Sequence, residues 1–345
     1  METLAVKYRP KTWEDVTEQS SAVAILQQQL ATGSVKNAYL FCGPAGCGKT
    51  TCARIFADAI NNGEGNAIEM DAASNSGVDD VRNIAQQAKA QSLSSEYKVF
   101  IIDECHSISS TGWQAFLKLI EEPPAKSIFI FCTTDPQKIP KTILSRVQRY
   151  DFRRISNNGI FDRLNDIMNA ENNPEDGFGL HYDPDALDYI VKLADGGMRD
   201  AITLLDKCLS YTRDLTLQAV VSALGTVDYD TMIDLTNSIL VGDVVDVIER
   251  VEDIYSAGKD IKQFVRQFMV FMLDVVKYDS QCPVRLLSLP KLATVTDWLR
   301  SGEGNYNVHQ ELLSVLVNLN AQMRYSESPK YDLESALLLY IIEGR

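Results

Sequence analysis

The segment Gly43–Thr50 reads Gly-Pro-Ala-Gly-Cys-Gly-Lys-Thr and constrains the fold more than any other part of the chain. It follows the apolar run Ala38–Cys42 and precedes a helical pattern over Thr51–Ile60. A glycine-rich G-x-x-x-x-G-K-[ST] loop between a strand and a helix directs backbone N–H groups toward phosphate. The pattern predicts a nucleoside triphosphate site, in which Lys49 reaches the β and γ phosphates and Thr50 holds Mg²⁺.

Composition limits the class of protein. The 345 residues are 45% hydrophobic and 23% charged, which is enough to bury a core and to form two or three domains. No apolar run approaches the roughly 20 residues of a membrane span, and Met1–Leu4 lacks signal-peptide features, so we expect a cytoplasmic protein without a membrane partner.

Seven cysteines without a C-x-x-C pair argue against disulfides and a zinc ribbon, and each cysteine is expected to be buried. The net charge of −14 restricts any DNA contact to local features.

Short apolar runs alternate with helical patterns through about residue 152. Besides the run before the glycine-rich loop, Ala67–Met70, Val99–Ile102 and Ile128–Phe131 are typical of central parallel strands, because burial on both faces removes the alternation of polar and apolar residues. A helical pattern follows each run. The first domain is therefore expected to be α/β, with helices on both faces of a parallel sheet.

Helical patterns dominate the remainder of the chain, from Asn157 to Tyr211 and again from Thr216 onward. Asp243 and Asp260 are expected to be N-caps of helices. Helical spacing predicts that the following apolar residues face a core: Ile248, Val251, Ile254 and Tyr255.

Two carboxylates, Asp103 and Glu104, follow the run Val99–Ile102 directly. Downstream of a phosphate loop, this placement puts Asp103 near the Mg²⁺ and Glu104 near the attacking water, which predicts hydrolysis as well as binding. The alternative is that both residues merely cap a strand. His106 is expected to cap a helix or to pack, without a catalytic role.

Three further residues decide what kind of site this is. Thr134, after the run Ile128–Phe131, is expected to orient the γ phosphate or the water, and Arg199 to reach the phosphates of its own chain. Arg146, on a loop, is expected to complete the site of a neighbouring subunit, because a guanidinium contributes most where negative charge accumulates. Each arginine alone would more simply form a surface ion pair, but their order after Lys49 favours the functional interpretation.

Several segments besides the phosphate loop belong to one known pattern: Lys7–Trp13, Asp71–Asn75, Asp103–His106, Leu119–Pro124, Thr133–Lys138, Ser145–Arg146 and Gly197–Ala201. They resemble the AAA+ clamp-loader ATPases, and within that family the gamma/tau branch of bacterial DNA polymerase III. The resemblance is dense from residue 4 to about residue 210. It implies an α/β P-loop AAA+ domain at 1–154, a small helical lid domain at 155–212 and an all-α collar domain for oligomerisation at 213–345.

The resemblance also implies roles for individual residues. Glu104 would be the general base, Thr134 the first sensor, Arg199 the second sensor and Arg146 the finger that acts across the subunit boundary. Nucleotide contacts would come from Tyr8, Arg9, Pro10, Gly43, Pro44, Ala45, Gly46, Cys47, Gly48, Lys49, Thr50, Thr51 and Arg199, while Thr50 and Asp103 would hold the metal. Ser76, Gly77 and Arg82 would face DNA, although Arg82 could equally pair with Asp79 or Asp80. Leu93 is a candidate contact for the clamp.

Members of this family form a five-subunit spiral with delta- and delta-prime-like chains or copies of themselves, and load a ring-shaped sliding clamp onto primer–template DNA at the expense of ATP. Here Ala59–Asn66 replaces the four-cysteine zinc module usual in gamma/tau chains, so no zinc is expected, and Val147 and Ala45 stand where many members have Cys and Arg. The end at Arg345 suggests a compact version of bacterial or viral origin without the tau-type extension. The alternatives are a branch-migration type of AAA+ motor and a structural clamp-loader subunit with little hydrolysis.

Overall fold

The computed structural model describes residues 2–64, 67–89, 95–172, 179–280, 282 and 307–343. Leu93 lies outside these residues. The chain divides into two compact units, the first formed by Met1–Gly177 with Leu193–Asp206 and the second by Phe178–Lys192 with Lys207–Arg345.

A five-stranded parallel sheet forms the centre of the first unit, in the order β2-β3-β4-β1-β5. Its strands are β1 Ala38–Cys42, β2 Ile68–Asp71, β3 Lys98–Asp103, β4 Ser127–Thr133 and β5 Gln148–Asp151. Every residue of β1 and β4 is buried, which accounts for the continuous apolar runs. The four predicted strands are confirmed, but the prediction that Ala67–Met70 is a central strand was wrong, because β2 lies at an edge of the sheet and its alternate residues are exposed. The strand β5 at the other edge was not predicted.

Helices cover both faces of this sheet, as predicted. They are α2 Ser20–Thr32 and α3 Lys49–Ile60 on one face and α4 Val78–Lys89, α5 Ser110–Glu121 and α6 Lys141–Leu144 on the other. The other helices up to residue 211 are α1 Leu4–Lys7, α7 Asn157–Glu171, α8 Pro184–Leu193, which lies mostly in the second unit, and α9 Met198–Tyr211, which begins in the first. Alternate residues of β1 enter two separate cores: Leu40 packs with Trp113 and Phe116 of α5, whereas Phe41 packs with the core that contains Phe56 of α3. The sheet is thus a buried central layer.

The second unit is almost entirely helical. It contains α10 Leu217–Leu224, α11 Tyr229–Val241, α12 Val244–Ser256, α13 Ile261–Asp279, α14 Asn307–Met323 and α15 Pro329–Glu343. Residues of α11 to α15 share one apolar core, in which the rings of Phe264 and Phe268 stack at 5.6 Å. Two short strands, β6 His181–Tyr182 and β7 Asp214–Leu215, pair in parallel, and no sequence pattern predicted them.

Local predictions for this unit are mostly confirmed. The Asp243 carboxylate accepts hydrogen bonds from the N–H groups at the start of α12, and Asp260 does the same for α13. Val251 and Ile254 are buried, but the prediction for Tyr255 was wrong, because its side chain is 52% exposed. The Lys330 ammonium group lies 5.0 Å from the centre of the Tyr255 ring, so this aromatic face contacts a cation instead of the core.

The cysteines follow the prediction with one exception. Six are buried, at positions 42, 47, 52, 105, 132 and 208, whereas Cys282 is exposed. Within the described ranges, no group of three or more His, Cys, Asp or Glu side chains is arranged to hold a metal ion. No helix in the same part of the chain has the length and apolar character needed to cross a membrane.

Two neighbouring residues of α2 test how the first unit is held together. Leu26 is fully buried beside α3, whereas Ile25 is 49% exposed. We expect Leu26→Ala to lower the free energy of unfolding by about 2–5 kcal/mol, because it leaves a cavity. Ile25→Ala is the matched control and should change it by less than about 0.5 kcal/mol. Denaturant titration that follows the unfolding of the first unit measures the free energy of unfolding of both variants. Equal losses in the two variants would contradict the assigned burial of Leu26 and exposure of Ile25.

Candidate active site

The phosphate loop opens into a cavity of about 560 Å³ in the first unit. Most of the residues predicted to bind nucleotide line it together: Tyr8, Arg9, Pro10, Ala45, Gly46, Cys47, Gly48, Lys49, Thr50, Thr51 and Arg199. Asp103 and Glu104 line it as well. The parallel sheet brings these residues together, because the carboxyl ends of β1 and β3 lie on the same side of the sheet.

The loop packs tightly against the start of α9. Gly46 has φ +70°, and a Cβ atom at this position would lie 3.1 Å from the Cα of Gly197. The Met198 N–H donates a hydrogen bond to the Gly46 carbonyl oxygen at 3.0 Å. Glycine is required here both for the backbone conformation and for the close approach. As a result, Arg199 is held beside the phosphate loop at the first turn of its helix.

Lys49 is buried inside the loop, with only 6% of its surface exposed. Its Nζ donates to the carbonyl oxygens of Gly43 at 2.9 Å and of Pro44 at 2.7 Å. Gly43 and Pro44, which were predicted to contact nucleotide, do not themselves line the cavity, and their carbonyl oxygens bind the lysine. Burial raises the pKa of the neighbouring Cys47 thiol, which donates to the Pro44 oxygen and stays protonated.

Thr50 and Asp103 are in direct contact. The Thr50 hydroxyl donates to Asp103 Oδ2 at 2.7 Å, which brings a hydroxyl oxygen and a carboxylate oxygen together at the cavity wall. Oxygen ligands of this kind are the ones that Mg²⁺ prefers, and it commonly takes one or two from the protein and the others from phosphate and water. The pair fits a magnesium ion bound with nucleotide.

Glu104 follows Asp103 in an unusual backbone conformation. Its φ is +46°, which is uncommon for a residue with a side chain and is concentrated at functional sites. Its N–H donates to Asp103 Oδ1 at 2.9 Å, and its Oε2 accepts a hydrogen bond from the Thr134 hydroxyl at 3.2 Å. Thr134 therefore contacts the predicted base, although it does not line the cavity itself.

Several cavity residues were not predicted. Arg54, Glu69, Asp71 and Arg163 also line the cavity, and Arg54 pairs with Glu69 at 2.6 Å. Arg54 lies on α3, Glu69 and Asp71 on β2 and Arg163 on α7, and the four share no spacing that would identify them as a motif. The one available signal was Asp71, which begins a segment of the family pattern.

Hydrogen bonds connect the part of the cavity wall that contains Tyr8 to α7. Arg163 donates to the Tyr8 carbonyl oxygen at 3.2 Å, and both the Tyr8 hydroxyl and Lys7 donate to Glu171. Burial and the hydrogen bond to Glu171 raise the pKa of Tyr8. Burial alone would raise the pKa of Glu171, but the hydrogen bonds from Lys7 and Tyr8 outweigh it and lower that pKa.

The remaining predicted residues lie away from the cavity. Arg146 Nη2 is 2.8 Å from Glu121 Oε1, and its Nη1 donates to the Thr142 carbonyl oxygen at 2.8 Å. Arg82 pairs with Asp79 at 2.8 Å on the exposed face of α4, which is the alternative that the sequence left open. Ser76 and Gly77 precede α4, where the Gly77 N–H donates to the Asp80 carboxylate.

Comparison with known proteins identifies the family. Family models match three consecutive parts of the chain: "DNA polymerase III, delta subunit" at residues 66–156, "DNA polymerase III clamp loader subunit, ATPase lid domain" at 159–214 and "DNA polymerase III subunits gamma and tau domain III" at 215–283. Together they cover more than half of the chain.

Individual relatives agree. DNA polymerase III subunit tau of Bacillus subtilis is 33% identical over 96% of this chain and 62% of its own length. The gamma/tau subunit of Mycobacterium tuberculosis strain H37Rv is 31% identical over 79% of this chain and 50% of its own length. The chain thus spans about half to three fifths of the length of these two relatives.

Solved structures show the same fold at low identity. The Holliday junction branch migration motor RuvB of Thermotoga maritima is 18% identical, with a TM-score of 0.51 over 73% of this chain and 86% of its own. This likeness concerns the fold alone, a P-loop AAA+ domain followed by helical domains. The three family models and the tau and gamma/tau relatives show that the chain belongs to the gamma/tau family of DNA polymerase III clamp-loader subunits.

Proposed function

We propose that this chain is the ATP-hydrolysing subunit of a clamp loader, which opens a sliding clamp and places it on primer–template DNA. The observation that carries the proposal is the contact of Thr50 with Asp103 beside Lys49, at the mouth of a cavity that Glu104 and Arg199 also line. These are the parts that phosphoryl transfer requires: a phosphate cradle, metal ligands, a base and a cation. Membership of the gamma/tau family supports the assignment to clamp loading.

Nucleotide binding follows from the loop and the wall opposite it. The N–H groups of Ala45–Thr51 and the Lys49 ammonium bind the phosphates, and Tyr8, Arg9 and Pro10 lie against the adenine and ribose. Thr50 and Asp103 would hold Mg²⁺, which would supply positive charge to offset the negative charge of the phosphates.

Hydrolysis uses Glu104 as the general base. Its carboxylate accepts a proton from water while the water oxygen bonds to the γ phosphorus, and the bond from that phosphorus to the bridging oxygen breaks to release ADP. Thr134 holds Oε2 of this carboxylate in place. Arg199 stabilises the phosphate charge from the same chain, and its position on α9 connects the phosphates with the helical lid.

We assign Arg146 to the site of a neighbouring subunit. Its guanidinium lies outside the cavity of its own chain and is 39% exposed, in a pair with Glu121. An exposed ion pair of this kind contributes at most about 1 kcal/mol, so a neighbour's γ phosphate can replace the carboxylate at little cost. The finger therefore acts only where subunits adjoin.

The proposed assembly is a five-subunit ring in the bacterial cytoplasm, built with delta- and delta-prime-like chains or further copies of this one. We propose that the chain has three domains, at 1–154, 155–212 and 213–345, and that the last of these serves as the collar. Ser76, Gly77 and Arg82 are proposed to face DNA within the ring, where Arg82 would exchange Asp79 for a phosphate.

The fold likeness to a branch-migration motor raises a second candidate function. At 18% identity this likeness concerns the fold alone, and the match of residues 215–283 to gamma and tau domain III favours the clamp loader. A structural subunit with little hydrolysis is disfavoured by the complete set of Lys49, Asp103 and Glu104 in one cavity.

Lys49→Ala tests the nucleotide site. Loss of the buried ammonium should abolish detectable ATP binding in equilibrium titration with a fluorescent ATP analogue, because no other group takes its place between the phosphates. Lys118→Ala, on the exposed face of α5, is the matched control and should bind as the wild type does. Unchanged affinity in the folded Lys49 variant would rule out the assigned site.

Arg146→Ala tests the finger. ATP affinity should be unchanged, whereas ATP turnover in the assembled ring should fall by about 10³-fold or more, the range known for arginine fingers. Arg149→Ala, whose guanidinium pairs with Asp151 on β5, is the control and should retain turnover. Normal turnover in a ring of Arg146→Ala chains would exclude a role in the neighbouring site.

Clamp loading itself predicts a dependence on two partners. The ATP turnover of the assembled ring should rise at least severalfold when the sliding clamp of the same source and primer–template DNA are added together, and less with either alone. Phosphate release measured at constant ATP concentration checks this. Stimulation by a four-way DNA junction without any clamp would instead favour the branch-migration motor.

A further inference from the structure

His106 has contacts that its expected role as a cap or packing residue does not explain. It lies in the short 3₁₀ helix Cys105–Ser107 that follows Glu104, with its side chain 20% exposed. Its Nδ1 is 3.2 Å from Glu104 Oε2 and 3.2 Å from the Thr133 hydroxyl oxygen. The imidazole therefore bridges the end of β3 and the end of β4.

The hydrogen-bonding role of His106 depends on which ring nitrogen carries the hydrogen. An ionised carboxylate only accepts hydrogen bonds, so His106 can donate to Glu104 Oε2 only with a hydrogen on Nδ1. The Thr133 oxygen already accepts a hydrogen bond from the Asp135 N–H at 3.0 Å, and it can accept a second. The Nδ1–H tautomer is therefore the one in which His106 can hold the Glu104 carboxylate.

With a hydrogen on Nδ1, His106 and Thr134 would both donate to the same oxygen of the proposed base. The Thr134 hydroxyl and His106 Nδ1 each lie 3.2 Å from Glu104 Oε2. Two donors on one oxygen restrict rotation of the carboxylate about its last bond and leave Oε1 as the better proton acceptor.

We propose that His106 is a positioning residue for hydrolysis, which together with Thr134 holds the Glu104 carboxylate so that Oε1 faces the attacking water. This inference rests on the proposed function, because it assigns His106 a task only if Glu104 acts as the base. His106 itself does not transfer the proton. Its effect belongs to the chemical step and not to nucleotide binding, since the histidine does not line the cavity.

The substitutions His106→Asn and His106→Gln separate the effect of a donor at the Nδ1 position from the effect of side-chain volume. Asn presents its amide nitrogen close to where Nδ1 of His lies, whereas Gln presents it close to Nε2. His106→Gln and His106→Ala should lower kcat about tenfold or more, within the range that acid–base positioning contributes, and leave KM and ATP affinity within about twofold. His106→Asn should recover most of that loss. His181→Ala, at an exposed histidine of the second unit, is the control and should match the wild type.

The kinetic outcome decides the proposal when the wild-type ring hydrolyses ATP. Equal turnover in wild type and His106→Ala would overturn it, as would a loss in which His106→Asn and His106→Gln are alike. A rise in KM with unchanged kcat would assign the residue to binding and would also overturn it. Absence of turnover in the wild-type ring would refute the proposed function instead.

A second readout does not depend on turnover. The chain has three histidines, at 106, 181 and 309, so ¹⁵N spectra of the histidine-labelled full chain can be assigned by substitution. At about pH 8, where histidine side chains are ordinarily neutral, the His106 signal should have the Nδ1–H pattern and should change in Glu104→Ala. An Nε2–H pattern that is insensitive to Glu104→Ala would overturn the inference.

Discussion

The close packing of the phosphate loop on the start of α9 is the contact on which the site depends. Gly46 and Gly197 approach so closely that a Cβ on Gly46 would lie 3.1 Å from the other residue's Cα, and the Met198 N–H bonds to the Gly46 carbonyl oxygen. The start of α9, which carries Arg199, is therefore in direct contact with the phosphate loop.

Burial on both faces of the sheet made much of the fold predictable. The runs that became β1, β3 and β4 are apolar throughout because each face packs on its own core. The strand β5 escaped prediction because Gln148, Arg149 and Asp151 are polar and lie at an edge, so the run lacks an apolar signature. Tyr255 has helical spacing with the core residues of α12 but rests against Lys330, a contact between distant segments that spacing cannot reveal.

The site was predictable wherever its chemistry demands a fixed local spacing. The loop around Lys49 and the pair Asp103 and Glu104 each occupy a few consecutive residues. The parallel sheet places the carboxyl ends of β1 and β3, which these residues follow, on one side. Arg163 was not identified, because its contact with the Tyr8 carbonyl oxygen depends on where two distant segments of the chain meet. A lone histidine after two carboxylates carries no signal until its Nδ1 is seen beside Glu104 Oε2.

Our central claim is that each site is only half complete within one chain, with Lys49, Glu104 and Arg199 on one side and a neighbour's Arg146 on the other. ATP turnover per subunit, measured against protein concentration together with the amount of bound ATP, tests this directly. The account predicts that ATP binding is the same at every concentration, while turnover per subunit rises from near zero to a plateau as the ring assembles. Full turnover by a single isolated chain would contradict it.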